Sequence, residues 1–110
     1  MERRVVITGI GIYSCIGKDI NEVASSLKEG RSGIGLDPFR KEMGYRSILT
    51  GIIDIPNLKD VLPRRQRISL SEEAMYAYVS TKEALENAAI DDEFLDNNIM
   101  TLLQKQLWRV

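Results

Sequence analysis

Histidine is absent from the sequence, and cysteine occurs once, as Cys15. Without imidazole there is no usual general base for neutral pH, no Ser-His-Asp or Cys-His nucleophile system and no His-ligated metal. A single cysteine cannot close an internal disulfide or build a thiolate zinc site, and it fits a reducing, cytoplasmic compartment. Excess charge of one sign is missing too. A net charge of -1 argues against nucleic-acid binding, which calls for a basic surplus. No apolar run approaches the ~18 residues that a membrane helix needs. Val5-Val6-Ile7-Thr8-Gly9 is also too short for the apolar centre of a signal peptide. On these grounds no residue is assigned to catalysis, to a cofactor or to a metal.

What remains is ordinary globular material: 110 residues, 44% hydrophobic and 28% charged, the size of one domain. Val5, Val6, Ile7 and Ile10 form a β-branched run closed by glycines, the pattern of a strand buried on both faces in a parallel sheet. A glycine-rich loop follows to Gly17. Asp19 is placed to cap a helix, with Glu22 at capping-box spacing, and Ile20, Val23, Ala24 and Leu27 form its apolar stripe. Gly30 is its expected stop. Residues 30–44 read as a loop with a helical turn near Phe39 to Met43. Ser47 to Ile55 reads as a second strand, ended by Pro56 and Asn57. A further loop carries Pro63, Arg64, Arg65 and Arg67. The longest element is a helix capped by Ser69 with Glu72, its stripe Leu70, Ala74, Ala77, Thr81, Ala84, Leu85 and Ala88, and its exit at Asp91-Asp92. The order strand, helix, strand, helix points to an α/β architecture. The alanines imply close packing of the last helix against a neighbour.

Gly9, Gly11 and Gly17 invite a nucleotide-binding reading, but their spacing refuses it. The dinucleotide fingerprint would need a third glycine at position 14, which is Ser14. A phosphate loop ending at Gly17-Lys18 would need glycine at position 12, which is Ile12, and Ser or Thr at position 19, where Asp19 would repel phosphate. Tight turning after a strand accounts for the glycines. Cys15 has no histidine to activate it and reads as a small packed residue. Arg64, Arg65 and Arg67 are either solvated surface or an anchor for an acidic partner, whose carboxylates or phosphates guanidinium groups would engage.

Arg4-Val-Val-Ile-Thr-Gly-Ile-Gly-Ile-Tyr-Ser-Cys-Ile-Gly17 resembles the opening strand and turn of β-ketoacyl-[acyl-carrier-protein] synthases. Leu27-Lys-Glu-Gly-Arg-Ser-Gly-Ile34 is similar to that family's next signature, L-x-x-G-x-S-G-I, and Ser71 to Tyr78 to its helix after a basic loop. The likeness covers about residues 3–98 and leans toward the elongating type I/II enzymes. It implies a thiolase-like α/β fold, of which this chain would hold the N-terminal part only, a homodimer, and an acyltransferase of fatty acid or polyketide biosynthesis. The implied reaction is a decarboxylative Claisen condensation of an acyl thioester with malonyl-carrier protein. The family's nucleophilic cysteine and two histidines have no match here, since Cys15 falls in the turn. The resemblance therefore implies a fragment inactive by itself, with Arg64, Arg65 and Arg67 in the region that faces the acidic acyl carrier protein. A non-catalytic carrier-protein-binding module derived from the family is the alternative.

Residues 1–100 are expected to form the family portion. Residues 101–110, Thr-Leu-Leu-Gln-Lys-Gln-Leu-Trp-Arg-Val, carry none of its pattern and are expected to be a frameshifted tail. Two strands and two helices would leave sheet edges unpaired, so poor autonomous stability and aggregation are expected.

Overall fold

The fold is described from a computed structural model, covering residues 3–95. The expected tail, residues 101–110, lies outside the described residues. The elements in chain order are α1 (Ile20–Glu29), β1 (Ile34–Leu36), α2 (Pro38–Glu42), β2 (Leu49–Gly51), α3 (Arg64–Ile68), α4 (Glu72–Asn87) and α5 (Asp92–Phe94). Helices and short strands mix, as an α/β reading requires, but the order is not strand, helix, strand, helix.

α1 forms as its sequence dictates. The Asp19 side chain accepts from the Glu22 amide, and the Glu22 carboxylate reaches back to the Lys18 amide at 2.8 Å. The helix ends at Gly30 in the left-handed region (φ 66°), where the Gly30 and Arg31 amides donate to the Leu27 and Ser26 carbonyls. Val23 is buried at its centre, but Leu27, expected on the same stripe, is exposed. Ser26 takes the inward place instead, donating its hydroxyl to the Ile16 carbonyl.

The strand expected at Val5 to Ile10 does not form. The segment lies unpaired, with Val5, Val6 and Ile7 exposed, because a strand exists only through a neighbour's hydrogen bonds and none runs beside it among the described residues. The expected strand from Ser47 to Ile55 shrinks to Leu49–Gly51. Its partner, β1, arises where a loop is expected, and the pair is antiparallel, with Ile34 opposite Gly51 and Leu36 opposite Leu49. The twelve residues between them, 37–48, turn the chain back on itself, so no parallel crossover is needed. The helical turn near Phe39 is present as α2, capped by Asp37 with Pro38 at its first position.

α4 starts two residues later than its expected cap. Ser71, not Ser69, accepts from the Ala74 amide at 3.3 Å, while the Ser69 hydroxyl donates to the Gln66 carbonyl and closes α3. Its inward face differs as well. Ala77 and Thr81 are exposed, and Tyr76, Ser80, Ala84 and Ala88 turn toward the rest of the chain. The Asp91 side chain caps α5 rather than only ending α4. Val23 and Leu58 are the buried apolar residues of the core among those described. No helix among them is long and apolar enough to cross a membrane.

Candidate functional site

Two features gather the residues singled out in the sequence: the glycine segment against α4, and the arginines of α3. At Gly9 a β-carbon would overlap the Ala84 carbonyl oxygen and stand 2.7 Å from the Ala88 methyl. At Gly11 it would overlap the Ser80 carbonyl oxygen and stand 2.7 Å from the Ala84 amide nitrogen. The glycines thus admit the chain into a groove on α4 floored by Ser80, Ala84 and Ala88, one small residue per turn. This contact is what the alanines of α4 serve, and it explains G-x-G without any phosphate.

Polar side chains fasten the same segment. Asn87 Oδ1 accepts from the Ile10 amide at 3.1 Å. The Glu83 carboxylate accepts twice, from the Ile12 amide through Oε2 and from the Ile20 amide through Oε1, each at 2.8 Å. The Tyr13 ring stacks on Tyr76 with centroids 5.7 Å apart, and its hydroxyl donates to the Asp54 carbonyl at 2.8 Å. Partial burial, reinforced by the Glu72 carboxylate, pushes the Tyr76 phenol above its usual value. Lys18 Nζ meets Asp54 Oδ2 at 2.9 Å, and that hydrogen bond and charge hold its ammonium above the ordinary lysine value. None of Glu83, Asn87 or Asp54 stands out in the sequence. Glu83 and Asn87 share the 3.6-residue spacing of one helix face opposite the glycines, the only signal that could have found them.

Cys15 is half-buried within this loop, its sulfur beside Gly51. A cleft of about 550 Å³ opens between the start of α1, residues 56–61 and α4. Lys18, Asp19, Lys82, Glu83 and Glu86 line it together, so its walls mix charges of both signs.

The arginines occupy α3, a short helix begun by Pro63 without a side-chain cap. Arg64 and Arg65 are exposed. Neither forms an ion pair among the described residues. Arg67 is half-buried and donates from Nε to the Leu62 carbonyl at 3.0 Å, so it is partly spent on the loop that carries it. Beside it, Ile55, Pro56, Leu58, Ile68 and Met75 line an apolar hollow of about 270 Å³. Arg67 and Ile68 of α3 border this hollow, while Arg64 and Arg65 lie exposed on the same helix.

Comparison with known proteins gives a consistent answer. The family model for the β-ketoacyl synthase N-terminal domain matches residues 2–103. The 3-oxoacyl-[acyl-carrier-protein] synthase 1 of Haemophilus influenzae is 41% identical over 96 residues, which is 87% of this chain and 23% of that protein. The protein of the same name from Escherichia coli K12 is 36% identical over the same shares. Nodulation protein E of a Rhizobium species is 33% identical over 82% of this chain and 22% of its own length. The chain spans about a quarter of the length of the curated relatives it matches.

Proposed function

Because the chain belongs to the β-ketoacyl synthase family through that family's N-terminal domain, we propose that it is the N-terminal portion of a 3-oxoacyl-[acyl-carrier-protein] synthase. In that reading residues 1–100 form the family portion. The enzyme to which it corresponds is an acyltransferase that condenses an acyl thioester with malonyl-carrier protein, losing CO2, as a cytoplasmic homodimer. The chain itself contributes scaffold and partner surface. The observation that carries this division is chemical: decarboxylative condensation through a thioester needs a thiolate and imidazoles, and the sequence has no histidine and only Cys15, packed in a turn. Incubating the purified full chain with malonyl-carrier protein and an acyl-carrier protein tests it. No CO2 release and no condensation product is the expected result. Turnover that is lost on substitution of Cys15 would overturn the reading.

The second element of the proposal is that α3 meets the acyl carrier protein. Arg64 and Arg65 support it by their exposure, and the apolar hollow beside Ile68 supports it because interfaces pair a charged rim with an apolar centre. Arg67 contributes by shaping the loop as much as by its charge. The same surface is what a non-catalytic carrier-binding module would use. Binding without turnover by the full chain fits both descriptions, and absence of any binding removes the surface assignment while leaving the scaffold role intact.

A further inference from the structure

We propose that Glu83, assisted by Asn87, is a positioning residue that sets the path of the loop from Ile10 to Ile20, with its oxygens standing in for a neighbouring strand. The spacings of helix and loop match. Two side chains four apart on a helix are separated along its axis by about 6 Å. Two amides that point the same way from an extended chain, being two residues apart, are separated by about 6.6 Å. Asn87 and Glu83 are the first kind of pair and the Ile10 and Ile12 amides the second, so one turn of α4 meets two residues of extended backbone running the opposite way. Gly9 and Gly11 follow the same match from the other atoms, sitting over Ala88, Ala84 and Ser80. Helix and extended chain are in register through both their polar and their close-packed contacts.

Glu83 then does what a strand cannot. Its second oxygen takes the Ile20 amide, the first of α1, so a single carboxylate ties the two ends of the turn Ile12 to Ile20 together. Charged acceptors make stronger hydrogen bonds than neutral ones, and two amides converging on one carboxylate define its position tightly. The loop so held presents Lys18 to Asp54 and Asp19 to the start of α1. Nothing in this depends on what the remainder of a synthase does.

Amide hydrogen exchange on the full chain, resolved by residue, tests the assignment. Glu83→Met keeps the size of the side chain and removes both acceptors. It is expected to speed exchange at Ile12 and Ile20 at least tenfold, leaving Arg31 at the end of α1 unchanged. Glu83→Gln retains one acceptor oxygen and is expected to release only one of the two amides. Asn87→Asp retains the acceptor, so Ile10 stays protected, whereas Asn87→Leu exposes it. Unchanged exchange at Ile12 and Ile20 in Glu83→Met overturns the proposal. So does equal acceleration at Arg31, which would mean general loosening rather than a local clamp.

Discussion

The Lys18 ammonium sits 2.9 Å from the Asp54 carboxylate and joins the loop before α1 to the chain after β2. Both side chains are more than half exposed, so solvent screens the pair and it contributes little to stability at neutral pH. Its mark is on titration. The hydrogen bond and charge of Asp54 raise the lysine above its ordinary value of 10.5. A raised basic group contributes stability that is complete below the unfolded value and is lost as pH rises through the folded one. Whatever the pair adds is thus present at neutral pH and disappears above about pH 10.5. In Asp54→Asn the Lys18 titration, followed by NMR at its side-chain carbon, should move down toward the ordinary value. An unchanged midpoint would show that the pair does not form in solution.

Ala89 is the non-glycine residue with positive φ among those described, at 54°. It closes α4 in the way Gly30 closes α1: the Ala89 amide donates to the Glu86 carbonyl and the Ile90 amide to the Leu85 carbonyl. A β-carbon in the left-handed region costs roughly 1–2 kcal/mol, whereas glycine gives back part of that through its floppier unfolded chain. Ala89→Gly should therefore stabilise the chain by about 0.5 kcal/mol, read as a higher urea midpoint with unchanged slope. A lower midpoint would contradict the geometry.

The same two helix ends mark how far sequence reasoning carried. Gly30 announces its cap by residue type, and Asp19 and Glu22 announce the start of α1, so both ends of that helix were legible, though the turn of Ser26 inward in place of Leu27 was not. Ala89 carries no such sign, and neither does Ser71, one of two serines within reach of Glu72. The β-branched run at Val5 to Ile10 has every local property of a strand, yet strand formation is decided by pairing, which no local pattern encodes. The glycines were legible as a tight turn after a strand; that Gly9 and Gly11 lie close against α4 shows only in the fold. Of the candidate partner surface, the arginines were visible as charge; that Arg67 turns back to Leu62 while Arg64 and Arg65 face outward was not.

Gly11 gives the sharpest test of the groove. Alanine there would overlap the Ser80 carbonyl oxygen, backbone against backbone, so neither side can yield by a rotamer change. Gly11→Ala should cost about 2 kcal/mol, within the usual range for forced overpacking. It should also loosen the Ile10 and Ile12 amides together. Ala84→Leu attacks the same contact from the helix and should have an effect of similar size. If both variants melt like the parent, the segment does not lie in the groove.

Charge reversal separates the three arginines. If α3 meets the acyl carrier protein as proposed, Arg64→Glu and Arg65→Glu should each weaken that binding about tenfold at low salt, an effect that shrinks as salt screens the surface. Arg67→Glu should weaken binding too, but it should also lower the melting temperature, because the Leu62 carbonyl loses its donor. Calorimetric titration and a thermal melt on the same samples check both. Equal affinities in all four proteins would place the carrier-protein surface elsewhere.

Exposure of the first apolar run sets the solution behaviour. Val5, Val6 and Ile7 are 95%, 69% and 85% exposed, while Val23 and Leu58 are the buried apolar residues among those described. Extended, unpaired and apolar backbone is the template on which chains pair with one another, and a lysine on such an edge opposes that pairing through charge. Self-association of the purified chain should therefore rise with concentration. Val6→Lys should increase the monomer fraction several-fold in light scattering coupled to size exclusion, without altering α4 helicity. Lysine at Lys59, already charged and distant in sequence, offers the control: Lys59→Gln should leave the monomer fraction as it was. If Val6→Lys behaves like Lys59→Gln, association proceeds through another surface, and the exposed run is not what drives it.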